Sequence, residues 1–188
     1  KVFKHLLPKF SPGSFMKEEK IVYFESPGKQ NTDATLKLAK ERADKLKTKS
    51  VIVASTSGFA AESAVKALKG RALVIVGIDR KRFSSELIKK LEKNEHQVRF
   101  SEEVTSSYPD LAKTVLRRFC EGMKVAVQIT LIAADERLVP LDKEVIAIAG
   151  TTHDVKEAGG SDTAIVVEPA TSDKFSELRV REIICKPR

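Results

Sequence analysis

The stretch VIVASTSGFAAESAV, residues 51–65, decides how this chain is read. Val51, Ile52, Val53 and Ala54 form a short apolar run of the kind that makes a strand buried on both faces. Ser55, Thr56, Ser57 and Gly58 follow, a turn of hydroxyls and one glycine. From Phe59 the pattern becomes that of an amphipathic helix. A strand that feeds such a turn into a helix leaves the first backbone N–H groups without partners inside the helix. The macrodipole adds about half a positive charge at that end. A phosphate fits there without any charged side chain. The stretch therefore predicts a phosphorylated small molecule, held on the amides of Thr56, Ser57, Gly58 and Phe59 and the hydroxyls of Ser55, Thr56 and Ser57. It names no reaction.

Outward from this core the chain alternates strand and helix. Residues 21–24 read as a strand, and Asn31 or Thr32 caps a helix through Leu36, Ala39, Ala43 and Leu46. The helix over 59–68 is closed by Gly70. Residues 72–76 and 98–100 read as strands, with a helix opened by Ser84 or Ser85 between them. Pro109 and Asp110 open a helix with Leu111, Val115 and Phe119 on one face, closed by Gly122. Residues 123–134 fit a strand by alternation and a buried helix by length; their alanines favour the helix. Residues 145–149 and 163–167 are strands with no helix between them, so they pair as a hairpin and turn one edge antiparallel. Residues 178–185 add an edge strand. The fold class is α/β: a three-layer α/β/α domain with a mostly parallel sheet and an antiparallel edge.

Composition agrees with one domain over residues 16–188. The chain has 188 residues, 41% hydrophobic and 32% charged, enough apolar material to bury a core. High Lys and Glu without Trp hints at a thermophile. No apolar run approaches the ~18 residues that span a bilayer, so a soluble, cytoplasmic protein without membrane contact is expected. Cys120 and Cys185 lack ligand spacing and read as buried reduced thiols. Residues 1–15, KVFKHLLPKFSPGSF, look foreign to the rest and read as an N-terminal extension or an early translation start. They carry Lys1, Lys4 and Lys9 and no acid, leaving +5 of the net +8 elsewhere, interleaved with acids. Nucleic acid is therefore a minority expectation.

Open α/β sheets bind ligands at the carboxyl ends of their strands. Three loops should meet there: one with Gly28, Lys29, Asn31 and Thr32; the turn 55–58; and a glycine-rich loop from Gly150 and Thr151 to Gly160, Asp162 and Thr163. Lys29 can add charge to an anion. Asp162 either binds a ligand hydroxyl or caps its turn. The chain holds no G-x-x-x-x-G-K-[ST], no G-x-G-x-x-G and no G-x-S-x-G. His5, His96 and His153 have no ligand spacing, so no metal is expected. Asp135, Glu136, Asp142 and Glu144 read as solvated charge. Catalytic residues stay unassigned, and with them whether the protein is an enzyme.

The ordered motifs resemble the C-terminal domain of pyruvate kinase, in which a hydroxyl-rich "SG" turn after a strand holds a phosphate of the sugar-bisphosphate activator. Ser55, Thr56, Ser57 and Gly58 match that turn. The similarity is closer to a stand-alone family of archaeal and bacterial proteins related to that domain. It is carried by IVYFESPGKQNTDATL (21–36), VIVASTSG (51–58), QITLIAADERLVPLDKEVIAIAG (128–150), GSDTAIVVEPA (160–170) and EIICKPR (182–188). The resemblance implies the three-layer fold, a flavin mononucleotide or similar phosphorylated ligand such as a sugar phosphate, and no pyruvate kinase activity, since the catalytic barrel is absent. It departs from the family pattern at GIDRKRF (77–83) and in the charged insert HDVKE (153–157). The first expectation is thus a binding domain for a phosphorylated ligand. The second is a flavin- or phosphosugar-dependent enzyme using Asp162 or Lys29, and the third a nucleic-acid or protein interaction module. A homo-oligomer is left open.

Overall fold

The computed structural model describes residues 16–104, 106–151 and 159–188. The extension 1–15 and the insert 153–157 lie outside the described residues, and with them His5 and His153. Seven strands form one sheet: β1 (Val22–Phe24), β2 (Ser50–Ala54), β3 (Ala72–Gly77), β4 (Gln97–Phe100), β5 (Val145–Ala149), β6 (Thr163–Glu168) and β7 (Arg179–Pro187). Their order across the sheet is β1-β7-β6-β5-β2-β3-β4. Strand β6 runs against both of its neighbours, β5 and β7, and every other pair is parallel. The antiparallel part therefore lies toward one side of the sheet, as expected. Strand β7, expected at the edge, is second from it, because β1 pairs with its last residues from Cys185 to Pro187.

Helices cover both faces. On one face α1 (Thr32–Leu46), α2 (Phe59–Ala67) and α3 (Ser85–Lys93) pack Leu36, Ala39, Ala61, Ala64 and Leu91 onto Val51, Val53, Ile75 and Ile148. On the other, α5 (Glu121–Asp135) packs Val127, Leu131 and Ala134 onto Ile52, Val74, Ala147 and Ile165, with α4 (Asp110–Arg117) beside it. Successive residues of β2 thus serve opposite cores, as strand geometry requires. The ambiguous segment 123–134 is helical. Ten of α5's residues are buried, so a continuous apolar run was needed and obscured the period.

Two helix ends differ from expectation. Asn31 makes no side-chain cap; its Nδ2 donates to the Ser26 carbonyl at 2.8 Å, and a 3-10 turn at Lys29–Asn31 leads into α1 instead. Gly122 does not close α4. It lies in the first turn of α5, where Thr163 comes so near that a Cβ would stand 2.1 Å from its Oγ1. The glycine there serves helix-to-sheet approach rather than termination. Ser84 caps α3 as read, its Oγ accepting from the Leu87 amide at 3.1 Å.

Candidate functional site

The ends of β1, β2 and β5 and the start of β6 share one edge of the sheet, so the three predicted loops do meet. From β2 the chain proceeds outward through β3 and β4. It returns through α4 and α5 to β5, on the other side of β2. The crevice between β2 and β5 is therefore a topological switch point. A cavity of about 250 Å³ opens there. Ser55, Thr56, Gly77, Gly150 and Gly160 line it from the loops, and Lys124 and Gln128 from α5.

The turn after β2 is partly committed to its own structure. Ser55 is buried, its amide donates to the Val76 carbonyl at 3.0 Å, and its Oγ accepts from the amides of Gly58 at 3.2 Å and Ala61 at 3.3 Å. Ser55 Oγ as an acceptor and the Gly58 amide as a donor, both expected to face a phosphate, are thus engaged within the turn, while Ser55 still lines the cavity. Ser55 takes over the capping of α2 from three residues before its N-cap position, Gly58. Gly58 holds φ 94°, and a Cβ on it would meet Leu87 at 2.4 Å, which explains the glycine. The amides of Thr56, Ser57, Phe59 and Ala60 find no acceptor among the described residues, nor do the hydroxyls of Thr56 and Ser57 find a partner there. Thr56 is half-buried at the cavity and Ser57 is exposed. What remains open is a nest of four amides at the positive end of a nine-residue helix.

The loop after β1 reaches this turn through Lys29, whose Nζ sits 4.1 Å from the Phe59 ring centroid. That contact holds a cation beside the first residue of α2. The rest of the loop is stitched to the glycine-rich loop. Asp162 is fully buried, and its Oδ2 accepts from the amides of Gly28 at 3.0 Å and Thr151 at 3.2 Å. Its Oδ1 accepts from the Thr163 hydroxyl at 2.8 Å. Thr32 Oγ1 donates to the Lys29 carbonyl at 2.6 Å and accepts from the Ser161 amide at 3.0 Å. Asp162 therefore works as a clasp between two loops, and the turn-capping alternative describes it. Gly28, Thr32, Thr151 and Thr163 are parts of the same clasp, while Asn31 holds the loop's entry through Ser26.

Sequence reasoning missed the α5 wall. Glu121, Lys124 and Gln128 project into the cavity at helical spacing. The signal was present, but it lay in the segment whose period was ambiguous. Glu121 bonds Lys124 and Arg117, each at 2.9 Å. Burial pushes its carboxyl up, but those two cations outweigh burial and hold it below the ordinary glutamate range.

The other chemistry-bearing groups lie apart from the cavity. Cys120 is half-buried, with Thr163 Oγ1 at 3.5 Å, and burial raises its thiol. Cys185 is fully buried and pushed up to about 12 by burial. Both are free thiols. His96 Nδ1 accepts from the Leu73 amide at 3.4 Å, and burial lowers its pKa. Asp135 is less solvated than expected, because it anchors the amide and hydroxyl of Ser172 at 2.7 and 2.5 Å. Glu136 and Glu144 pair with Arg99 and Arg181. Among the described residues no group of three or more His, Cys, Asp and Glu is placed to hold a metal. No helix among them is long and apolar enough to cross a membrane.

Comparison with known proteins places this geometry in context. The family described as "Pyruvate kinase, alpha/beta domain" matches residues 33–167. Among solved structures, Cryptosporidium parvum pyruvate kinase in complex with ADP is 16% identical, with a TM-score of 0.40, over 72% of this chain and 22% of that chain. Another structure of a pyruvate kinase from Cryptosporidium parvum is 15% identical, with a TM-score of 0.42, over 74% of this chain and 23% of that chain. The match thus spans less than a quarter of each pyruvate kinase chain.

Proposed function

The chain belongs to the pyruvate kinase α/β-domain family, and from that premise we propose that its carboxyl edge binds a phosphorylated small molecule without catalysing phosphoryl transfer itself. One observation carries the reading: four uncommitted amides gather at the N-terminus of α2, and the first of them, at Thr56, lines a cavity at the switch point of the sheet. The phosphate would take the amides of Thr56, Ser57, Phe59 and Ala60 and the hydroxyls of Thr56 and Ser57. Lys29 adds a fixed positive charge. The body of the ligand would lie toward Gly150 and Gly160, against Lys124 and Gln128. Cavities for drug-sized ligands run from about 300 Å³ upward, and this one measures about 250 Å³. That favours a sugar phosphate over flavin mononucleotide. Asp162 acts on neither; it keeps the two outer loops in place.

The test is a melting series with sugar phosphates, inorganic phosphate, nucleotides and flavin mononucleotide. A ligand at ~100 times its dissociation constant adds roughly 2.7 kcal/mol, which shifts the midpoint by about 5–10 °C in a chain of this size. Lys29→Gln should reduce the shift without lowering the unliganded midpoint. No shift with any phosphorylated compound overturns the proposal. A shift with flavin mononucleotide alone would return the flavin to first place.

A further inference from the structure

The apolar stripe of α4 and of the turn that follows it points away from the core. Leu111, Val115 and Phe119 recur every four residues and are 75%, 51% and 50% exposed. Beside them lie two cavities, of about 720 Å³ and about 480 Å³, that share Leu116 and Val180. Together they make one groove between α4 and the open half of β7. That half is open because β1 pairs only with the last residues of β7. Phe119, Met123 and Ile183 continue the apolar lining at one end, and Phe175 and Leu178 at the other. Contiguous exposed apolar surface of this kind marks a contact site.

The path of the chain indicates what occupies it. Strand β1 runs parallel to β7 with Val22 opposite Cys185. Continued backward, the chain keeps to the line of β7, and Lys17 and Val180 both line the larger cavity. The Lys17–Glu182 ion pair, at 2.8 Å, holds the chain to that line, and Glu19 is held by Arg42 at 2.8 Å. Lys17, Glu19 and Ile21 already line the larger cavity. The described chain therefore begins beside the larger cavity, which Val180 joins to the smaller one.

The chain before residue 16 is KVFKHLLPKFSPGSF, with Val2, Phe3, Leu6, Leu7, Phe10 and Phe15 among fifteen residues. Its reach, up to roughly 50 Å when extended, far exceeds the groove beside an eight-residue helix. A tethered segment also competes at millimolar effective concentration, which a free partner rarely attains. We propose that residues 1–15 of this chain occupy the groove between α4 and β7, with their leucine and phenylalanine side chains against Leu111, Val115 and Phe119. On this reading the segment that looked foreign in sequence covers the one helix face that the core leaves open among the described residues.

The full chain tests this directly. A benzophenone amino acid replaces Leu111, and the dilute protein is illuminated, digested and analysed by mass spectrometry. The expected product joins position 111 to a peptide within residues 1–15 of the same chain. In a second arm, Leu6→Asp, Leu7→Asp and Phe10→Asp are combined. Amide exchange over residues 111–119 should then rise roughly tenfold and binding of an apolar dye should increase, while exchange in β2 and β5 stays unchanged and reports an intact fold. Adding Val115→Asp should remove the dye signal. An adduct between two chains would assign the groove to a second copy and overturn the proposal. So would an adduct elsewhere, no adduct, or unchanged exchange in the triple variant.

Discussion

Asp162 shows how a single carboxylate that sequence leaves between a ligand hydroxyl and a turn cap can be engaged by its own loops in space. It stands at the glycine-rich loop beside Thr163, where sequence allows a ligand hydroxyl or a turn cap. In the fold it is fully buried and accepts three hydrogen bonds from Gly28, Thr151 and Thr163. Each hydrogen bond to a charged acceptor contributes about 1.5–3 kcal/mol. Asp162→Asn replaces one acceptor oxygen by a donor that must face donors. We expect a loss of roughly 2–4 kcal/mol, read from urea unfolding. A neutral result would mean the clasp is not formed in solution. Ser55 gives the complementary case. Ser55→Ala removes the acceptor for Gly58 and Ala61 and should cost about 1 kcal/mol. Because its oxygen already accepts from two amides of its own turn, the variant should keep its phosphate-dependent melting shift. Loss of that shift would place Ser55 at the ligand after all.

At the scale of elements, the chain leading into β1 is held by an ionic clamp that pH can open. Arg42 on α1 is nearly buried and bonds Glu182 of β7 and Glu19, while Lys17 also meets Glu182. Burial pushes the Glu182 carboxyl up, but Arg42 and Lys17 outweigh it and hold the group below its ordinary value. Its folded pKa is therefore depressed. The stability it contributes is present above the unfolded value, about 4.3, and fades as pH falls through the folded one. Melting midpoints from pH 7 to pH 3 should fall less steeply in Glu182→Gln than in the parent chain. Parallel curves would mean the clamp contributes nothing. The clamp also shows what patterning leaves unread. Strand and helix positions followed from apolar period, since β2, β3 and β5 are short runs buried on both faces. The period grouped Leu111, Val115 and Phe119 on one face of α4, but it could not say whether anything covers that face. It also failed at α5, where burial all round removed the contrast that marks a helix, and the cavity wall at Lys124 and Gln128 went unread with it.

For the whole molecule the deciding property is where the excess charge lies. The chain carries a net +8. Lys29 follows β1, Arg80, Lys81 and Arg82 follow β3, Lys186 ends β7, and Lys124 lines the cavity, so basic groups collect at the carboxyl edge of the sheet. Part of that charge is neutralised locally, Arg80 by Glu103 and Lys124 by Glu121. Lys81 and Arg82 stand exposed after β3, at the same edge of the sheet. A field of one sign over a cleft raises the arrival rate of an opposite charge by ten to a thousandfold, and salt removes the effect within a Debye length of about 10 Å at 0.1 M. A phosphorylated ligand should thus associate roughly tenfold more slowly at 0.5 M than at 0.02 M salt, with its dissociation rate little changed. The amide nest proposed to hold the phosphate acts only at short range, which is why release should be insensitive. Lys81→Gln with Arg82→Gln should flatten the salt dependence of association in stopped-flow measurements and leave the unfolding midpoint in place. Equal salt dependence in both proteins would show that ligand enters by another side, and the edge charge would then serve solubility alone.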